Sequence, residues 1–256
     1  MLSDLLQCAR DAAELADQVI RQGYGGDFDV NLKADSSPVT EVDIAAERVI
    51  RQRISEQFPD HAIFGEELGR DQHQPDQPLW LIDPIDGTKS FVRRYPFFST
   101  QIAVWLNGRV VVGVSNAPLA GQCLWATEGG GAWLNGDAVQ VSRNDKISNS
   151  TVSTGNLRTL TQDVDAWSRL GKLLGACDRT RGYGDYYHYH LLARGAIDVV
   201  VESDVNILDI AALSLAVQEA GGQFTDLRGA PITLDVTHVL ASNGRLHQSV
   251  LESLAF

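Results

Sequence analysis

Apolar and polar positions alternate with two different periods along this chain, and the periods divide it into elements. Over residues 3–22, acidic residues interrupt the apolar ones in the manner of an amphipathic helix, and Gly23, Gly25 and Gly26 are expected to break it. Residues 40–57 predict a second helix, with Thr40 as N-cap and Ile44, Val49, Ile50 and Ile54 on its apolar face. Pro59 closes that segment. A short strand is expected at 62–64, followed by a polar loop over 65–78. Trp80, Leu81 and Ile82 form an apolar run that reads as a short buried strand. Strand-like runs follow at 100–105, 110–117 and 122–127, with Asn107-Gly108 as a hairpin turn. Gly129 to Gly131 and Asn135-Gly136 interrupt the next segment.

The second half alternates between the two periods. Strands are predicted at 151–154, 197–201 and near 238–241. Helices are predicted at 162–174, about 184–194, about 208–220 and from about 244. Ala211, Ala212, Leu215 and Ala216 point inward on the 208–220 helix, and Gly221-Gly222 stops it. There is no low-complexity linker and no short internal repeat. The expected organisation is one domain over 1–256, built from two halves of about 1–145 and 146–256.

Composition changes this picture little but excludes several functions. A hydrophobic content of 44% and a charged content of 21% are globular values, sufficient for a large core. The net charge of −12, with no Lys/Arg-rich run, argues against a nucleic-acid partner held by phosphate neutralisation. Cys8, Cys123 and Cys177 are far apart and odd in number, which suggests neither a zinc site nor a disulfide framework. The first residues lack the basic start of a signal peptide, and no apolar run approaches membrane-spanning length. The expected setting is cytoplasmic and reducing, away from membranes.

The candidate chemistry begins at Asp83-Pro84-Ile85-Asp86-Gly87-Thr88. Pro84 disfavours strand continuation, so a turn is expected just after Asp83, aiming Asp83 and Asp86 at one point. Gly87 permits close approach of an anion to the backbone, and Thr88 supplies a hydroxyl. Taken alone, the same residues read equally well as a strand followed by an ordinary turn. Other acids shift the balance: Glu66 with Glu67 upstream, Asp209 at a helix start downstream, and Asp43 in a first helical turn. Asp43 would be favoured there by the helix dipole whatever its function. Histidine does not accompany this set at ligand spacing. Oxygen-only ligands select Mg²⁺, Mn²⁺ or Ca²⁺ over Zn²⁺. Clustered divalent ions lower the pKa of a bound water and offset charge on a leaving oxygen, which suits hydrolysis of a phosphate ester. A phosphoaspartate D-x-D pair and an EF-hand loop both fail on spacing.

Together these segments resemble the inositol monophosphatase family of Mg²⁺-dependent, lithium-sensitive phosphatases. The matching pieces are Lys33 through Asp43 with Val39-Thr40, Gly65-Glu66-Glu67, the Asp83 to Thr88 segment, Leu208-Asp209-Ile210-Ala211-Ala212, and Glu219-Ala220-Gly221-Gly222. Their order and spacing cover nearly the whole chain. The resemblance implies an α/β, layered αβαβα sandwich shared with fructose bisphosphatases, working as a homodimer on a small-molecule phosphate ester. It implies two or three Mg²⁺ ions, with Mn²⁺ able to substitute. Glu66, Asp83 and the Ile85 carbonyl would hold the first ion. Asp83, Asp86 and Asp209 would hold the second, and Glu66 with water a weaker third. Thr88 and Asp43 would orient and activate the attacking water. The Gly87 and Thr88 amides would bind phosphate, with Lys33 and Glu67 as accessory residues. Leu208 departs from the Trp usual before the last metal-binding Asp, which predicts a local packing change.

Within that family, Gly184-Asp185 differs from the inositol-type pattern, where Ser or Thr follows the glycine. Together with Lys89-Ser90-Phe91-Val92-Arg93, it is similar to the histidinol-phosphatase branch, which belongs to histidine biosynthesis. Asp185 and Glu202 could pair with an ammonium and an imidazole. Asp86, Arg181 and Gly184 would complete the substrate contacts. Asp185 could equally cap the helix that begins there. The other readings are an inositol-1-monophosphatase or broad-range sugar or polyol phosphatase, a bisphosphate nucleotidase, and a non-catalytic metal-binding protein. His188 and His190 are two apart on a helix and so unsuited to share a metal. The aromatic run from Tyr183 to Tyr189 reads as packing and Cys177 as a small buried residue.

Overall fold

Seven helices and two main sheets stack in layers over residues 1–32 and 38–255, the part of the chain that the computed structural model describes. Lys33, expected as an accessory residue, lies outside the described residues. The outer helices of the first half are α1 (Leu2–Gly25) and α2 (Glu41–Gln57), which pack against each other and against the first sheet. Five small or apolar residues at helical spacing, Cys8, Ala9, Ala12, Ala16 and Ile20, form the buried stripe of α1. The glycines do not break α1 at residue 23 as expected. A Cβ at Gly23 would meet the Val42 side chain at 2.5 Å, so this glycine serves the contact with α2. On α2 the buried stripe is Val42, Ala46, Ile50 and Ile54, while Ile44 and Val49 are only half-buried.

A ribbon of β1 (Val30–Leu32) and β2 (Pro38–Thr40) leads into α2. The first main sheet contains β3 (Ala62–Gly65), β4 (Gly69–Arg70), β5 (Leu79–Asp86), β6 (Ser99–Leu106), β7 (Arg109–Ala117), β8 (Gln122–Thr127), β9 (Ala132–Leu134) and β10 (Asp137–Val139). A short helix, α3 (Thr88–Val92), follows β5. The order across this sheet is β10-β9-β8-β7-β6-β5-β3-β4, antiparallel except for the β3–β5 pair. Asn107 and Gly108, at φ 51° and 80°, form the expected β6–β7 turn. Asn135-Gly136 forms a second such hairpin rather than a simple break.

The second sheet contains β11 (Thr151–Thr154), β12 (Arg179–Arg181), β13 (Val199–Ser203), β14 (Gln223–Thr225) and β15 (His238–Ser242), in the order β12-β11-β13-β15-β14. Helices α4 (Val164–Ala176) and α7 (His247–Leu254) cover its outer face. Between the two sheets lie α5 (Asp185–Ala193) and α6 (Ile207–Glu219). The result is the α/β fold with flanking helices, layered αβαβα. Helix α6 is buried nearly all round, because both sheets press on it. A Cβ at Gly113 of β7 would meet the Ala212 carbonyl at 2.7 Å, so that glycine lets α6 lie flat on the first sheet.

The turn expected just after Asp83 is absent. Strand β5 continues through Pro84 to Asp86, fully buried. Pairing with β3 ends at Gly65–Ile82, before the proline, so the missing N–H breaks no ladder bond on that side. Toward β6 the register shifts between the Asp83–Gln101 and Asp86–Ser99 pairs, leaving Pro84 and Ile85 opposite Thr100 alone. This is a β-bulge, and bulges re-aim side chains without ending a strand. The Thr100 hydroxyl donates to the Pro84 carbonyl at 2.9 Å.

Candidate active site

The bulged end of β5 and the first turn of α6 deliver three carboxylates to one point. Asp83, Asp86 and Asp209 each offer an oxygen within 4.8 Å of the others. Asp209 is held by a capping box: its Oδ2 accepts the Asn206 amide at 2.9 Å and its Oδ1 accepts Asn206 Nδ2 at 2.7 Å. Asp83 Oδ1 accepts the Ile85 amide at 2.9 Å, which folds the bulge around its own carboxylate. Ser99 donates to Asp86 Oδ2 at 3.4 Å from the neighbouring strand. Leu208, in the place of the usual Trp, is buried in the central core, and Asp209 keeps its position in the cluster.

Burial is the main force on the protons of these groups. It pushes Asp83 well above the usual carboxylate range, with repulsion from Glu66, Asp86 and Asp209 adding to it. Glu66 also shares a side-chain hydrogen bond with Asp83. Asp86 is raised in the same way, by burial first and then by Asp185, Asp209, Glu202 and Glu66. Asp209 is pushed up to about 7 by burial, against the opposing hydrogen bonds from Asn206. Among the described residues none of the three acids has an ion pair. Buried charges without a counter-charge are costly, so this cluster is short of positive charge. Hard divalent cations on oxygen ligands fit that deficit and this donor set. The three acids are a cluster capable of coordinating a divalent metal.

Beside the cluster, α2 supplies Asp43 and α3 supplies Thr88. Thr88 Oγ1 lies 3.2 Å from Asp43 Oδ1 and 3.0 Å from the Ile85 carbonyl oxygen. Thr40 donates its amide to Asp43 Oδ2 at 2.8 Å and its hydroxyl to the same oxygen, closing a capping box at the start of α2. Burial raises the Asp43 pKa, and the Thr40 and Thr88 donors work against that shift. Gly87 sits at φ 91°, where a Cβ would meet the Phe97 carbonyl at 2.6 Å.

A cavity of about 490 Å³ opens over these residues, lined by Glu66, Asp86, Gly87, Thr88, Lys89, Gly155, Asn156, Gly184, Asp185 and Glu202 among others. Asp185 does not cap α5. The N-cap is Gly184, and no side chain caps the helix. Asp185 instead takes φ 45°, an unusual conformation for a residue with a side chain. Burial and the nearby Glu202 raise its pKa to about 6, while His188 and Lys89 pull it down. Among the described residues its carboxylate accepts no hydrogen bond. Glu202 differs in every respect. It is buried, and it accepts from the Asn156 amide at 3.1 Å and from the Tyr189 hydroxyl at 2.8 Å, with His188 Nε2 at 3.1 Å. A Cβ at Gly155 would meet its Oε1 at 1.8 Å.

Arg181 is exposed and turned to the Thr180 carbonyl at 2.7 Å, outside the cavity lining. Glu67 is half-buried and outside that lining. His188 and His190 face different partners, Glu202 and Ser153 for the first, Gln122 and Ser115 for the second. Cys177 is half-buried, its thiol near backbone carbonyls. Sequence reasoning missed Glu47, whose carboxylate accepts the Glu67 amide at 2.7 Å, and the His188–Tyr189 pair beneath Glu202. Glu47 could have been found. It lies four residues after Asp43 and three before Ile50, a carboxylate on the apolar stripe of α2.

The whole chain, residues 1–256, matches the inositol monophosphatase family. This chain belongs to that family. It is a Mg²⁺-dependent phosphatase-type hydrolase. A histidinol-phosphatase of Mycobacterium tuberculosis is 36% identical over 99% of both chains. A fructose-1,6-bisphosphatase/inositol-1-monophosphatase of Thermotoga maritima is 35% identical over 84% of this chain and 81% of the other. Among solved structures, the extragenic suppressor protein SuhB of Bartonella henselae superposes with a TM-score of 0.90 at 26% identity, covering 98% of each chain. The layered fold is shared with that solved structure over nearly the whole chain. Among the described residues, no helix is long and apolar enough to cross a membrane.

Proposed function

We propose that this enzyme hydrolyses L-histidinol phosphate to L-histidinol and phosphate. The observation that carries this reading is the pair of carboxylates, Asp185 and Glu202, on the floor of the cavity beside the metal-binding acids. An ester whose alcohol is a polyol needs hydroxyl partners there. An amino alcohol with an ammonium and an imidazole needs anions. Asp185, without a hydrogen-bond donor of its own, is the carboxylate with capacity to spare, and a desolvated ammonium would satisfy it with a charge-assisted bond. The similarity to a histidinol-phosphatase supports the same assignment.

In this reading Glu66, Asp83 and the Ile85 carbonyl would hold one Mg²⁺, and Asp83, Asp86 and Asp209 would hold another, with Mn²⁺ able to substitute. Bound divalent ions would supply positive charge to the oxygens that become negative and ease ionisation of a water. The chain's own residues do the rest. The Thr88 hydroxyl donates to Asp43 Oδ1 and accepts a hydrogen bond from the attacking water, which aims its oxygen at phosphorus; as the water attacks, its proton passes to Thr88 while the Thr88 proton passes to the Asp43 carboxylate. The Gly87 and Thr88 amides hold the phosphate oxygens. Asp185 and Glu202 orient the cationic alcohol so that its ester oxygen leaves opposite the incoming water.

The test is phosphate release from histidinol phosphate, inositol 1-phosphate, fructose 1,6-bisphosphate and 3′-phosphoadenosine 5′-phosphate at equal Mg²⁺. A kcat/KM for histidinol phosphate at least ~10-fold above the rest supports the assignment. The similarity to the Thermotoga maritima enzyme favours one rival, an inositol-1-phosphate or broad-range phosphatase. Equal rates across the polyol esters would give that reading the lead. No release from histidinol phosphate under conditions where another ester is hydrolysed would overturn the assignment.

A further inference from the structure

We propose that Glu47 is a positioning residue, clamping the loop after β3 so that Glu66 is presented to the metal. The inference rests on the reading of Glu66 as a metal ligand.

Glu47 lies on α2 with its side chain fully buried. Its Oε2 accepts the Glu67 amide at 2.7 Å, and its Oε1 accepts the Leu68 amide at 3.2 Å. Arg51 Nε donates to the same Oε1 at 2.8 Å, and a second Arg51 nitrogen reaches the Gly69 carbonyl. On the other side of Glu66, its own amide donates to the Ile82 carbonyl of β5 at 3.1 Å. The backbone is therefore tied to β5 at residue 66 and to Glu47 at residues 67 and 68. Between those ties the Glu66 side chain reaches Asp83 and lines the cavity.

Gly65 carries an independent sign of the same arrangement. A Cβ there would meet Glu47 Oε1 at 1.9 Å and Oε2 at 2.9 Å. The glycine is required because the carboxylate occupies the space a side chain would fill. A buried carboxylate serving only as a partner for Arg51 would need neither loop amide. Both of its oxygens are committed to the loop amides, and Arg51 places an opposite charge 2.8 Å from Oε1.

The experiment compares Glu47→Gln, Glu47→Asp, Glu66→Gln and the double variant Glu47→Gln/Glu66→Gln, with Ile54→Val as a control for stability on the same helix. Mn²⁺ binding is measured without substrate, by the spin-resonance signal of free Mn²⁺, alongside the Mg²⁺ concentration for half-maximal activity and the melting temperature. Partners that orient metal ligands typically contribute ~10–100-fold to affinity. Glu47→Gln should weaken Mn²⁺ binding by at least ~10-fold, in the direction of Glu66→Gln. Glu47→Asp, charged but too short to reach both amides, should fall between wild type and Gln. Ile54→Val should lower the melting temperature and leave Mn²⁺ binding unmoved. The double variant should bind no worse than Glu66→Gln, because Glu47 acts through Glu66. If Glu66→Gln weakens binding and neither Glu47 variant does, the proposal is overturned while the metal reading stands. Additive losses in the double variant would also overturn it. If Glu66→Gln itself binds Mn²⁺ as wild type does, the reading of Glu66 fails and the proposal fails with it.

Discussion

The Thr88 hydroxyl lies 3.2 Å from Oδ1 of Asp43, joining the helix after the bulged strand to the start of α2. Asp43 is in turn fixed by two donors from Thr40. Removing the hydroxyl should therefore cost water orientation and little else. Thr88→Ala is expected to lower kcat by roughly 10²–10⁴, the usual worth of a positioned proton-transfer group. The fold should persist, since about 1 kcal/mol of hydrogen bonding is at stake. A steady-state assay with a parallel melting curve checks this, and wild-type turnover in the variant would remove Thr88 from the mechanism.

Asp83, Asp86 and Asp209 cluster with ligand oxygens within 4.8 Å of one another and, among the described residues, none of them has an ion pair. Activity should disappear on chelation and return with Mg²⁺ or Mn²⁺, and excess Li⁺ should inhibit. Asp86→Asn, which keeps shape but removes a charge, should bind Mg²⁺ more weakly and turn over orders of magnitude more slowly. Full activity in exhaustively chelated buffer would end the metal-dependent reading.

The same cluster predicts a pH dependence for the metal-free protein. Asp209 titrates at about 7 in the folded chain, against an ordinary value of 3.8. Between those values the folded state holds a proton that the unfolded chain has released. Stability rises with pH only where the unfolded state binds more protons. Here it binds fewer, so the Asp209 contribution to stability should fall as pH climbs from 3.8 to about 7. Asp83 and Asp86 are shifted in the same direction, and so is Asp185, which titrates at about 6. Melting in EDTA at about pH 5 and about pH 8 tests the sign, with Mg²⁺ expected to stabilise more at the higher pH. A melting temperature that rises with pH in EDTA would contradict it.

If histidinol phosphate is the substrate, Asp185 and Glu202 should affect specificity more than chemistry. Asp185→Asn should weaken use of histidinol phosphate by roughly 1.5–3 kcal/mol, about one to two decades in kcat/KM. Glycerol 2-phosphate, small and neutral at the alcohol, should be barely affected. Glu202→Gln should behave similarly toward the two esters but also lower the melting temperature, because His188, Tyr189 and the Asn156 amide all bond to that carboxylate. Equal losses on both esters would assign these carboxylates to structure or to the metal site.

Much of this was legible in the chain. The hairpin at Asn107-Gly108, the N-cap Thr40, and the helix start that carries Asp209 follow from local chemistry, because turn and cap residues bond to their own neighbours. Other features depended on partners distant in sequence. Pro84 promised a turn, and the strand continues because β3 ends beside it and β6 accepts a bulge. Gly23 promised a helix end, and Val42 explains it instead. The short strands β12 and β14 carry little hydrophobic pattern of their own and exist through pairing with their neighbours. At the site, residue types pointed to the acids, but no local signal distinguished Asp185 as an uncapping residue or set Arg181 outside the cavity.

Asp83 and Asp86 lie on the first sheet, whereas Asp209 arrives on α6, which is wedged between the two sheets. A nascent chain therefore leaves the ribosome with two of its acids long before the third exists. Nothing can grip an ion with the full set until the last quarter of the polypeptide has been made and α6 has been seated. A divalent ion held by all three acids would be a final fastening of the folded molecule, and a chain truncated before α6 would lack the Asp209 side of that clasp.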